Sequence, residues 1–190
     1  MLGAIVLTGL GSPDPTKDAA EAWWAGCRAV DWCVQCALIS EVKAVVTVGG
    51  RGYGFAFVRQ PDPDKPLGGV LAAIEMLKAT GCDTTLIVTI DAPGILPSDL
   101  QPLLLRRGGA RFNGLTLPML LPFNAVPEDV SPDWSLDRLA DEAGLPKAEQ
   151  HANSRLRLKG GYSEEEKARV IAGMPRERVE PKPPPWRSGA

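Results

Sequence analysis

The residues of this 190-residue chain that could do chemistry fall into three groups. The first is Gly9-Leu-Gly-Ser-Pro-Asp-Pro-Thr-Lys17, a glycine-containing loop directly after the short apolar strand expected at Ala4-Ile-Val-Leu-Thr8. A strand that runs into such a turn can offer backbone N–H groups to phosphate; equally, Gly9 and Gly11 can serve a plain turn that needs positive φ. The second is Asp91, directly after the β-branched run Thr84-Thr-Leu-Ile-Val-Thr-Ile90. Ligands of parallel sheets collect beyond the carboxyl ends of the strands, which is where this carboxylate falls, although it could also cap the turn before Pro93. The third is Cys33-Val-Gln-Cys36, a C-x-x-C spacing.

Spacing tests several specific versions of these sites. A P-loop needs glycine at 16 and Ser or Thr after the lysine, but Thr16 and Asp18 stand there. A dinucleotide fingerprint would use Gly9 and Gly11 but needs glycine where Asp14 is, and Gly50-x-Gly52-x-Gly54 does not fit it either. That second glycine run is expected to be a hairpin or a flexible loop. Cys33 and Cys36 lie inside a helical run rather than at a helix start, which disfavours a redox pair. Zinc needs four ligands, and the single histidine, His151, is far away in sequence. The two thiols are therefore expected as small apolar residues on a helix face.

The elements that must position these groups follow from periodicity. Leu71, Ile74, Glu75, Leu77 and Lys78 have helical spacing, with Gly81 as a stop. The run from Thr84 to Ile90 lacks polar alternation, as a strand covered on both faces does. Pro93 and Pro97 stiffen its exit, and Ser98 with Asp99 is expected to cap a helix from Leu100 to Leu105. A helix is predicted from Lys17 to about Leu38, broken at Gly26, with Trp23, Trp24 and Trp32 as packing anchors. Strands are predicted at Lys43 to Val48 and Phe55 to Val58. Leu115 to Pro122 reads as a strand pushed to a sheet edge by Pro118 and Pro122. Helices follow at Asp133 to Ala143 and from Ser163 to about Ile171. Arg155, Arg157 and Lys159 would suit an anionic ligand or, more simply, a solvated strand edge. This alternation predicts a parallel sheet with right-handed crossovers.

The length suits one domain, expected to span residues 1–174, with a Pro- and charge-rich tail at 175–190 that is expected to be unfolded. A net charge of −2 leaves no basic field for nucleic acid. No apolar run reaches the roughly 20 residues that span a bilayer, and the start lacks the cationic stretch of a signal peptide. Four cysteines are too few for a disulfide scaffold of this length, so a soluble cytoplasmic protein is expected. The tryptophan-rich helix surface would permit a homodimer.

Three pieces together resemble the MobA-like nucleotidyltransferases, whose best-known members are molybdenum cofactor guanylyltransferases. The family signature L-A-G-G-x-S-x-R-M-G-x-D-K is similar to Leu7-Thr-Gly-Leu-Gly-Ser-Pro-Asp-Pro-Thr-Lys-Asp18. Its G-P-L-A-G motif resembles Lys65-Pro-Leu-Gly-Gly69, and its C-D-x-P-x-x-P motif resembles Ile90-Asp-Ala-Pro-Gly-Ile-Leu-Pro97. A final N-x-N-T-P motif has a weaker counterpart in His151-Ala-Asn-Ser154. The resemblance covers roughly residues 3 to 172.

It implies a three-layer α/β/α fold with a mostly parallel sheet, of the Rossmann-like nucleotide-diphospho-sugar transferase type. It also implies transfer of a nucleoside monophosphate from a triphosphate, GTP by this likeness, to a phosphate-bearing acceptor such as molybdopterin. Asp91 would hold Mg²⁺, with Asn153 as a further metal residue, and Lys17 would act beside Asp91. Leu7, Thr8, Gly9, Gly11 and Ser12 would bind the nucleotide, with Gly9, Gly11 and Ser12 at its phosphates. Asp62 would read the base, and Leu67, Gly68 and Gly69 would line its pocket. The chain departs from the signature where Asp14 replaces arginine and Leu10 replaces glycine. The family lysine aligns with Ala19 unless a small deletion lets Lys17 serve. One close charge pair is worth on the order of 4 kcal/mol at an effective dielectric near 20. An active enzyme would therefore draw replacement charge from Lys17, Arg28 or Arg51; the other expectation is a relative that binds without catalysis.

Overall fold

A computed structural model of the chain describes residues 1–150 other than 13, 15, 16, 25, 26, 61, 63 and 92–94, and only the backbone of Trp24 and Ile39. The expected helix at Ser163, the basic segment 155–159, Asn153 and the tail lie outside the described residues. Among the described residues, seven strands form one sheet in the order β5-β4-β1-β6-β8-β7-β9. These are β1 (Leu2–Gly9), β4 (Ala44–Gly49), β5 (Ala56–Arg59), β6 (Thr84–Thr89), β7 (Ala110–Phe112), β8 (Met119–Pro122) and β9 (Lys147–Ala148). A separate small antiparallel pair is made by β2 (Trp23–Trp24) and β3 (Cys27–Arg28). The helices are α1 (Ala29–Ile39), α2 (Leu67–Ala79), α3 (Pro97–Leu104) and α4 (Leu136–Glu142).

Alternation along the central strands builds the layers. In β1, Ala4 and Val6 face one core while Ile5 and Leu7 face the other; in β6, Leu86 and Val88 oppose Ile87 in the same way. The first core is closed by α1 and α3 through Val30, Trp32, Val34, Leu100 and Leu103. The second is closed by α2 and α4 through Val70, Ile74, Leu77, Leu136 and Leu139. The result is a three-layer α/β/α fold with a mostly parallel sheet, as expected. β5, β4, β1 and β6 run parallel, with Leu7 beside Thr89 and Leu7 beside Val48. The ladder runs one bond further, from Ile90 N–H to the Leu7 carbonyl at 3.1 Å. The C-terminal ends of four neighbouring strands therefore share one rim.

Local chemistry explains the helix ends. Gly81, at φ +81°, closes α2, with its N–H on the Lys78 carbonyl at 2.9 Å. The Ser135 hydroxyl caps α4 by accepting the Arg138 N–H at 3.1 Å. For α3 the cap position is Leu96, and the Asp99 carboxylate reaches back to the Leu96 N–H at 2.9 Å, so the helix begins earlier than expected.

Three further expectations are corrected. Helix α1 starts only at Ala29, and among the described residues the segment from Asp18 to Arg28 is not helical. It turns at Asp18 and forms the β2–β3 pair, because the Asp18 carboxylate takes the Ala20 N–H and α1 then starts against the Ala22 and Ala20 carbonyls. β8 is not an edge strand. It lies between β6 and β7, with Pro118 just outside its span and Pro122 at its last position. The edges belong to β5 and to β9, a two-residue strand too short to show in the pattern. The glycine run after β4 is not a hairpin, since β4 and β5 are parallel. At the far side, buried Arg111 of β7 is paired with Asp137 at 3.3 Å and with Asp141, tying the strand to α4.

Ile87, wholly buried in the central strand, gives the expected size of this packing. Ile87→Ala should cost about 2–5 kcal/mol in denaturant unfolding, with an unchanged slope against denaturant.

Candidate functional site

The rim carries two loops that are locked to each other by their backbones. Gly9 and Gly11 take φ values of +68° and +69°, turning the chain sharply after β1. The loop after β4 lies directly on this turn: the Gly50 N–H donates to the Gly9 carbonyl at 2.8 Å. A Cβ on Gly50 would stand 1.4 Å from the Leu10 carbonyl oxygen, so only glycine admits this approach. Thr8, itself buried, donates its hydroxyl to the Val48 carbonyl at 3.2 Å.

Asp18 anchors the first loop from inside. Its side chain is fully buried and accepts the Ser12 N–H at 3.0 Å, the Ala20 N–H at 2.9 Å and the Tyr53 hydroxyl at 3.0 and 3.1 Å. Burial, helped by Asp18, pushes the Tyr53 phenol far above its ordinary value, so it stays a neutral donor. Arg51 donates to the Ser12 carbonyl at 2.7 Å and stands 3.6 Å from Asp18 and 3.8 Å from Glu21. Arg28 grips Asp31 through two bonds of 2.7 and 2.8 Å and also reaches Glu21 and the Tyr53 carbonyl. Hydrogen bonding to Asp31 raises its pKa above the usual arginine value.

Asp91 follows β6 on the same rim. It is exposed, and its carboxylate accepts the Thr89 hydroxyl at 3.2 Å while that hydroxyl accepts the Asp91 N–H at 3.2 Å. The glycine turn and Asp91 thus stand at the ends of adjacent parallel strands, as the sequence pattern requires of one crevice. Among the described residues no three His, Cys, Asp or Glu side chains gather as a metal cage. Mg²⁺ does not need one, since one or two carboxylates plus substrate phosphates and waters suffice, and the exposed Asp91 fits that demand.

The other expected residues are placed as follows. Leu7, Gly9, Gly11 and Ser12 lie at the turn, Leu7 with its side chain in the second core. Lys17 is largely exposed and pairs with Asp14 at 3.6 Å. Asp62 sits beyond β5, exposed, accepting the Asp64 N–H at 3.0 Å. Gly68 and Gly69 open α2 beside Gln60, and Gly69 is packed so closely that a Cβ would meet Val48 at 2.5 Å. Leu67 is wholly buried beneath them, so its side chain supports this wall from within rather than facing solvent. Asn153 lies outside the described residues. Sequence reasoning missed Asp18, Tyr53 and Glu21; the only trace was Asp18 two residues before Ala20, the spacing of an Asx turn.

Cys33 and Cys36 are free thiols in the α1 face of the first core, and Trp32 beside them donates its indole N–H to the Ile95 carbonyl at 2.9 Å. Burial pushes the Cys33 thiol up to about 12 and raises Cys36 further. No helix among the described residues is long and apolar enough to cross a membrane.

No protein-family model matches this chain, and no curated protein matches it by sequence. Solved structures match by fold. A nucleotidyl transferase from Methanothermobacter thermautotroptrophicus superposes with a TM-score of 0.58 at 17% identity, over 82% of this chain and 90% of that one. A 2-C-methyl-D-erythritol 4-phosphate cytidylyltransferase from Thermus thermophilus gives 0.55 at 14% identity, over 90% and 98%. A 4-diphosphocytidyl-2C-methyl-D-erythritol synthase gives 0.60 at 10%, over 90% and 98%. The chain has a nucleotidyltransferase-like, Rossmann-like fold. At these identities the likeness is one of fold, and function has to be argued from the rim.

Two measurements check this geometry. Asp18→Asn places an NH₂ among donors and should cost roughly 2–4 kcal/mol in unfolding free energy. The raised Cys33 pKa predicts that iodoacetamide at pH 8 spares Cys33 in the native protein and modifies it on unfolding. The neutral thiol is favoured by folding, so its contribution is full below about pH 9 and lost as pH rises toward about 12.

Proposed function

We propose that this chain is a Mg²⁺-dependent nucleotidyltransferase. The observation that carries the reading is the placement of the exposed Asp91 and the Gly9–Gly11 turn at the ends of hydrogen-bonded parallel strands, with Leu7 beside Thr89. In the reaction, an oxygen of the acceptor's phosphate attacks the α-phosphorus of a nucleoside triphosphate and pyrophosphate leaves. Asp91 would hold the metal, which when bound offsets charge on the α-phosphate and the leaving group. The turn contributes backbone donors: the Leu10 and Gly11 N–H groups make no hydrogen bond among the described residues. Asp62, Gly68 and Gly69 lie beyond the neighbouring strand ends, where the base would rest.

The base and acceptor are proposals of a finer grain. The motif likeness favours GTP and molybdopterin, and two of the structural neighbours carry names of cytidylyl chemistry. A second reading, binding without turnover, is favoured by Asp14, whose carboxylate stands in the signature loop where the likeness has arginine and pairs with Lys17 at 3.6 Å.

Pyrophosphate release should be measured with CTP and GTP, MgCl₂, and molybdopterin or phosphosugar acceptors. Wild-type turnover with one pair is expected, and Asp91→Asn should lower it at least a hundredfold, the size typical of losing a preorganised charge partner. Nucleotide binding without release under every pairing would establish the second reading.

A further inference from the structure

Among the described residues, three cations stand near the glycine turn, and they differ in what their donors already do. Arg28 is spent: both edges of its guanidinium are engaged by Asp31, Glu21 and the Tyr53 carbonyl. Lys17 projects outward, 78% exposed, against Asp14. Arg51 is different. Among the described residues its side chain makes one hydrogen bond, to the Ser12 carbonyl at 2.7 Å, and two carboxylate neighbours stand beyond hydrogen-bond length at 3.6 and 3.8 Å. Its side chain is 39% exposed.

Its position is fixed from three sides. The stem lies on Gly11, where a Cβ would meet Arg51 Cγ at 2.7 Å. Its guanidinium carbon lies 5.4 Å from the centroid of the Tyr53 ring. Asp18 and Glu21 hold it at the turn without consuming its donors. A guanidinium fixed in this way beside the N–H groups of Leu10 and Gly11, which make no hydrogen bond among the described residues, suits a phosphate chain, which takes two parallel N–H bonds from a planar fork.

Resting on the nucleotidyltransferase reading, we infer that Arg51, delivered by the loop after β4, binds the triphosphate, with Asp18 and Glu21 as its positioning residues. The loop after β1 then supplies backbone donors, and the neighbouring loop supplies the charge.

The test is calorimetric titration of the full chain with CTP, GTP and inorganic pyrophosphate in MgCl₂, at several salt concentrations. Wild type, Arg51→Gln, Arg51→Lys and Asp91→Asn are compared, with a thermal midpoint for each. Arg51→Gln should weaken the bound probe at least tenfold and flatten the dependence of log Kd on log salt. Arg51→Lys should restore the salt slope and only part of the affinity, which a purely structural arginine would not do. Should Arg51→Gln unfold, the Lys variant still decides, since it keeps the charge and loses the fork. Wild-type binding that Asp91→Asn weakens and both Arg51 variants leave unchanged would overturn this inference and leave the nucleotidyltransferase reading standing. No binding of any probe by wild type would overturn both.

Discussion

Everything at the rim depends on how closely the chain approaches itself between β1 and β4. The hydrogen-bonded spacing of the two strands is carried past their ends by the Gly50 N–H on the Gly9 carbonyl. The carbonyl of Leu10 then occupies the space where any other residue at 50 would have a Cβ. The turn after β1 is accordingly shaped by its neighbour rather than left to the freedom of its own glycines. Arg51 and Tyr53 come with the same contact, since both follow Gly50 on the overlying loop.

Two aspartates on this rim have opposite environments, and this separates structure from chemistry. Asp18 has no exposed side-chain surface and is satisfied by backbone N–H groups and a phenol. A carboxylate so enclosed organises a loop and cannot also face a cation in solution. Asp91 has one hydroxyl partner, Thr89, and is open to solvent. Of the two, only Asp91 can exchange water for a metal or a substrate. Asp18 also withdraws the Ser12 N–H from the donors the turn can offer, leaving those of Leu10 and Gly11.

How much of this was legible in the sequence follows from the range of the forces involved. The runs at 4–8, 43–48 and 84–90 announced buried strands because covered strands need unbroken apolar residues on both faces. Asp91 was legible with them, since its place depends only on where one strand stops. The segment from Lys17 to Arg28 was not. Its alanines carry helix propensity, but a buried Asp18 receiving donors from Ser12, Ala20 and Tyr53 is a tertiary bargain that overrides it. The internal place of β8 was hidden for a similar reason: Pro118 and Pro122 signal an edge, yet they fall outside or at the last position of a four-residue strand. Gly50 looked like an ordinary loop residue, because close packing against a partner far along the chain leaves no mark in local spacing.

The departures from the signature also change meaning once placed in space. Leu10, which stands where the likeness has glycine, does not adopt a positive φ and leaves its side chain 53% exposed. It therefore neither strains the turn nor fills it. Asp14, which stands where the likeness has arginine, has Lys17 at 3.6 Å, so part of its field is offset within the loop itself. The positive charge missing from the first loop is present on the second, at Arg51, held against the Ser12 carbonyl. Read residue by residue, the first loop looks stripped for catalysis; read as two interlocked loops, it keeps backbone donors, a guanidinium and an open carboxylate on one rim. That combination is what transfer of a phosphoryl-linked group demands of a protein, since such chemistry rests on positioning and on charge rather than on a nucleophile of its own.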